Sequence, residues 1–104
     1  MNYNLNERVK SEIIELAKKH NLDKIILFGS RARGDNHERS DIDLAVTGGD
    51  ILNFSFDVDE EVWTLLNFDV IDLDRGISAD LQAEIDRDGV IIYEKVWIFL
   101  KGTA

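Results

Sequence analysis

Cysteine and proline are both absent from this 104-residue chain, and histidine occurs only twice. Without thiols there is no disulfide framework and no thiolate zinc site. No run approaches the apolar length of a membrane span, and Met1-Asn2-Tyr3-Asn4 lacks the basic-then-apolar plan of a secretion signal. A cytoplasmic protein with no membrane partner is therefore expected. Basic residues are also scarce: 12 Lys and Arg stand against 21 Asp and Glu, a formal net charge of −9. A chain this acidic is repelled by phosphate backbones and has no basic run to focus binding, so direct nucleic-acid binding is not expected. Its acidity suits divalent cations or a basic protein partner. The apolar fraction of 44% and charged fraction of 32% are ordinary for a globular protein. The length predicts one domain, residues 1–104, with one core.

Helical and strand-like patterns alternate along the chain. Leu5, Val9, Ile13, Leu16 and Ala17 fall at helical spacing, which predicts a helix to about Lys19, capped by Asn4 or Asn6. Asn21 can close it in a left-handed conformation, with His20 as a surface residue beside it. Ile25 to Phe28 reads as an interior strand, and Gly29-Ser30 breaks it. A helical turn around Ala32 ends at Gly34, and residues 35–39, including His37, form an exposed loop. Asp41 to Val46 is a second strand and Thr47 to Asp50 a turn. A helix over residues 55–66 follows, its acids Asp57, Asp59, Glu60 and Glu61 placed in the N-terminal turn, where the macrodipole favours them. Phe68 to Leu73 is a third strand, and Ser78 caps a helix over residues 79–87 that closes at Gly89. Val90 to Tyr93 is a fourth strand. The run Val96-Trp97-Ile98-Phe99-Leu100 packs on its own domain or on a partner. The predicted class is α/β (α+β), a short mixed β-sheet flanked by helices.

The chemistry concentrates between Ile25 and Val46. In a strand, Asp41 and Asp43 project from one face, where two carboxylates repel each other unless a cation separates them or one takes a proton. Free backbone N–H groups in the turn after Gly29 can hold an anion. A third acid lies on the strand beyond: Asp69 and Asp72 compete, on opposite faces, and the acid that opens the apolar strand, Asp69, is favoured.

Gly29-Ser30, ten residues, then Asp41-Ile42-Asp43 fit the pattern G-S-x10-D-x-D, with Ser40 before the first acid and apolar runs on either side. Over about Ile25 to Tyr93 the chain resembles the nucleotidyltransferase superfamily that includes DNA polymerase β, and specifically its minimal, stand-alone (MNT) members. The resemblance implies the nucleotidyltransferase fold, ATP as substrate and two Mg2+ ions. It makes Asp41, Asp43 and Asp69 the catalytic, metal-holding carboxylates. Gly29 and Ser30, with Ser40 beside the motif, would serve the triphosphate. Arg31 and Arg33 are near enough in sequence to contact phosphates, with either one able to do so.

Larger relatives carry a further domain for the acceptor, for which this chain has no room. Small members resembling this one are paired with a HEPN-domain toxin, as antitoxins, and some attach AMP to a tyrosine of that toxin. The resemblance therefore implies a hetero-oligomer with a HEPN toxin and adenylyl transfer to it. Two other readings stand beside it. One is a non-catalytic antitoxin that works by contact alone; the other is a homodimeric nucleotidyltransferase with a small-molecule acceptor.

Overall fold

The computed structural model describes residues 3–96. Helix α1 (Glu7–Lys19) leads into strand β1 (Lys24–Phe28) and the single-turn helix α2 (Ser30–Arg33). Strand β2 (Ile42–Thr47), helix α3 (Ile51–Glu61) and strand β3 (Phe68–Asp72) follow. A 3-10 turn (Leu73–Arg75), helix α4 (Ala79–Asp88) and strand β4 (Val90–Glu94) complete the described chain. The sheet order is β3-β2-β1-β4: β1 runs antiparallel to β2 and β4, while β2 and β3 are parallel. This is the mixed sheet that the alternation of patterns predicts. Among the described residues, no helix is long and apolar enough to cross a membrane.

The two faces of the sheet have different roles. Ile25 and Leu27 of β1, Ile42, Leu44 and Val46 of β2 and Ile92 of β4 pack on one face against Val9, Ile13 and Leu16 of α1 and Phe54 and Val58 of α3. Most of these side chains are wholly buried, each contributing roughly 1.5–3 kcal/mol by leaving water. On the opposite face Phe28, Ala45 and Ile85 of α4 form a smaller cluster, joined by Ile26, Ile71 and Leu81. Strand alternation puts Asp43 and Asp69 on this second face, beside Ala45 and Ile71. The larger cluster holds the fold, and the smaller one leaves room for chemistry.

The helix ends follow their local signals. The Asn6 side chain accepts hydrogen bonds from the backbone N–H groups of Arg8 and Val9, and Asn21 takes φ 59° after α1. Ser78 caps α4 through the N–H of Leu81, and the N–H of Gly89 closes it on Ile85.

Helix α3 departs from expectation. It begins at Ile51, capped by Asp50, whose side chain accepts from the N–H of Asn53, and it ends at Glu61. Trp63, Leu65 and Leu66 therefore lie beyond the helix, with Trp63 and Leu65 exposed. The acids from Asp57 onward occupy its C-terminal half, where the macrodipole opposes them. Partners at the end of α1 offset that cost: Nζ of Lys19 lies 3.1 Å from the Asp57 carboxylate, and Nε2 of His20 lies 2.6 Å from it. These partners hold the Asp57 carboxyl below the usual range, His20 being the larger influence. His20 is thus an inter-helix tie whose side chain is only 12% exposed. The apolar run from Trp97 onward lies outside the described residues.

Candidate functional site

The site forms where β1 ends. Gly29 leaves the strand with φ 75°, a conformation that L side chains adopt only at a cost, and Ser30 starts α2. Gly34 ends that turn in the left-handed region at φ 84°, its N–H donating to the Ser30 carbonyl. The antiparallel register sets Phe28 opposite Asp43, so the Gly29 turn rises directly beside that carboxylate. A Cβ at position 29 would overlap Oδ2 of Asp43. Only glycine lets backbone and carboxylate approach this closely.

Asp43 and Asp69 are register partners across the parallel pair β2–β3, so their side chains leave one face from neighbouring strands. Burial, reinforced by the charges of Asp69, Asp41 and Glu84, pushes the Asp43 carboxyl up to about 6; the Arg33 charge acts weakly in the other direction. Asp41 immediately precedes β2 and is exposed. Asp72 has another task, its side chain accepting from the N–H of Asp74 at the start of the 3-10 turn. Of the two competing acids on β3, Asp69 is therefore the one beside Asp43.

The two arginines separate. Arg31 is 6% exposed, and its guanidinium is committed to main-chain carbonyls. It donates to Ser40 at 3.0 Å, Glu38 at 3.1 Å and Asn4 at 3.4 Å. It pins the loop before β2 to the segment before α1, so its guanidinium is occupied by the main chain and not presented at the site rim. Substituting Arg31→Ala removes three hydrogen bonds from a charged guanidinium to main-chain carbonyls and is expected to cost about 2–3 kcal/mol, lowering the melting temperature by roughly 10–20 °C. Arg31→Lys recovers little, since an ammonium lacks the planar fork; thermal denaturation checks both. The Ser40 hydroxyl also serves the loop, accepting from the N–H of His37 at 2.8 Å. Arg33, by contrast, is partly exposed and held at the rim by Asp35 at 3.1 Å and Asp88 at 3.4 Å.

Among the described residues, no three His, Asp or Glu side chains are arranged to hold one ion between them. Magnesium does not require that: it binds through one or two carboxylates and takes its remaining ligands from water and substrate phosphates. The donor set here is all carboxylate oxygen. Burial first, then the charges of Asp69 and Asp41, raise the cost of charging Asp43, a condition that a divalent cation relieves. The residues fit Mg2+.

Glu84 and Asp88 were not anticipated from the sequence. Both lie on α4 at helical spacing with Leu81 and Ile85, residues assigned to the core-facing side. That spacing carried the signal.

Residues 11–96 match the family described as polymerase beta, nucleotidyltransferase. The chain belongs to that family. A Methanocaldococcus jannaschii protein named "Putative protein adenylyltransferase" is 41% identical over 61 residues, 59% of this chain and 54% of that protein. The chain thus spans about half the length of that curated relative. Among solved structures, a toxin–antitoxin with AMP-PNP superimposes with a TM-score of 0.67 at 26% identity, covering 83% of this chain and 73% of that one. A mutant of the toxin–antitoxin MntA-HpeT, with two aspartates two positions apart changed to glutamate, gives 0.66 at 27% identity, covering 88% and 75%.

Proposed function

We propose that this protein is a magnesium-dependent nucleotidyltransferase that moves AMP from ATP to a tyrosine hydroxyl of a HEPN-domain toxin, and thereby acts as its antitoxin. The observation that carries the reading is the pairing of Asp43 with Asp69 beside the Gly29 turn. The adenylyltransferase name of one relative and the nucleotide-bound toxin–antitoxin among the structural neighbours support the substrate and the partner.

Gly29 lets the triphosphate come close to the backbone, and the Ser30 hydroxyl donates to a phosphate oxygen. Asp69, facing the acceptor, orients the attacking hydroxyl and takes its proton. The tyrosine oxygen bonds to the α-phosphorus, the bond from that phosphorus to the bridging oxygen breaks, and pyrophosphate leaves with the electron pair. Asp41, Asp43 and Asp69 would hold magnesium, which when bound neutralises the charge that develops on the phosphates.

The test is to incubate the protein, with the partner that co-purifies with it, with Mg2+ and each labelled nucleoside triphosphate. ATP-dependent labelling of the partner, lost in Asp41→Ala and Asp43→Ala, is expected. Stable partner binding without labelling by any nucleotide would establish neutralisation by contact instead. That second reading draws on Leu52 and Phe56, exposed one turn apart on α3 and flanked by Asp59 and Glu60.

A further inference from the structure

We propose that Arg87 of α4 joins Arg33, the arginine already expected at the phosphates, in a clamp on the β- and γ-phosphates of the nucleotide, with Asp88 as the positioning residue that brings the two together. The proposal rests on the nucleotidyltransferase reading above and extends it to α4.

Three nitrogens converge on a single oxygen, Oδ2 of Asp88. Nη1 of Arg33 lies 3.4 Å from it, Nε of Arg87 3.1 Å and Nη2 of Arg87 2.9 Å. The Asp88 side chain is 13% exposed, against 38% for Arg33 and 68% for Arg87. An anion beneath two outward-facing cations is a scaffold, because two guanidiniums left to themselves repel. The remaining anion on Arg33 is Asp35, 61% exposed; such a pair is screened and weak, so an incoming phosphate can displace it.

Position links this pair to the nucleotide. The Arg33 N–H donates to the Gly29 carbonyl at 3.2 Å, so the residue belongs to the turn beside Asp43. Arg87 reaches the same rim from α4. In a chain of net charge −9, a triphosphate needs local cations to approach a carboxylate pair. A guanidinium's planar fork matches phosphate oxygens. AMP has no β- or γ-phosphate and should not sense the clamp.

Calorimetric titration of the full chain with ATP and with AMP, each with Mg2+, tests this. Arg87→Ala, at an exposed position that tolerates truncation, is expected to weaken ATP binding about tenfold and leave AMP binding unchanged. Asp88→Asn should weaken ATP binding roughly fivefold, with Asp88→Glu restoring most of it. In a protein already carrying Arg33→Ala and Arg87→Ala, Asp88→Asn should cost nothing further. Equal losses for ATP and AMP, tighter ATP binding in Asp88→Asn, or an added loss in the arginine-free background would overturn the clamp alone. An unsubstituted protein that binds no ATP would overturn the nucleotide reading and the clamp with it.

Discussion

Asp43→Asn is expected to reduce nucleotidyl transfer by roughly 10³-fold or more and, at pH 8 in EDTA, to make the protein more stable. The two effects share a cause. Asp43 sits partly buried beside Asp69 and Asp41, and its carboxyl is pushed up to about 6 from an ordinary value of 3.8. Between these values the folded state binds more protons than the unfolded state, so stability falls as pH rises through the window and stays lower above it. The full shift corresponds to about 3 kcal/mol; solvent screening of a half-exposed group leaves ~1 kcal/mol. Asparagine carries no charge and escapes this. Its melting temperature at pH 8 should exceed that of the unsubstituted protein by roughly 4–8 °C, and the difference should vanish near pH 4. Mg2+ should stabilise the unsubstituted protein more than the variant. A variant that melts lower at pH 8 would mean the charged carboxylate is structurally required.

Gly29→Ala should be nearly as damaging to transfer, and it should destabilise the fold. Two costs add. The backbone at φ 75° disfavours any side chain, by about 1–2 kcal/mol, and the new Cβ would overlap the Asp43 carboxylate. That carboxylate must swing away from its place beside Asp69. Gly76 separates the two terms: it has φ 83°, and a Cβ there would meet nothing within 4 Å. Gly76→Ala should therefore cost only the conformational part, about 1 kcal/mol, with transfer retained. Urea unfolding and labelling rates measured on both variants check this. Equal behaviour would mean that crowding against Asp43 is irrelevant.

Several features were legible from local pattern because their physics is local. The stripe from Leu5 to Ala17, the caps at Asn6 and Ser78 and the left-handed Asn21 need only nearby residues to specify them. The mixed sheet followed from the alternation of strand and helix patterns. The Gly29-Ser30 turn and the acids Asp41 and Asp43 were visible because a fixed spacing ties them together.

Other features depended on residues far apart in sequence. Asp57 in the C-terminal half of α3 is tolerated because Lys19 and His20, far away in sequence, lie against it. Asp69 and Asp72 are alike within their strand; only the register of β3 against β2 puts Asp69 beside Asp43 and leaves Asp72 to cap a turn. Arg31 and Arg33 are two residues apart in the same short helix, yet one is buried among carbonyls and the other reaches the site rim. Most of the elements, the caps at Asn6 and Ser78 and the Gly-Ser/Asp-x-Asp motif could be read along the chain, since hydrogen bonds and periodicity act over a few residues. The tertiary fold set which acids stand side by side and which arginine reaches the site rim, because burial and charge act between segments that only folding brings together.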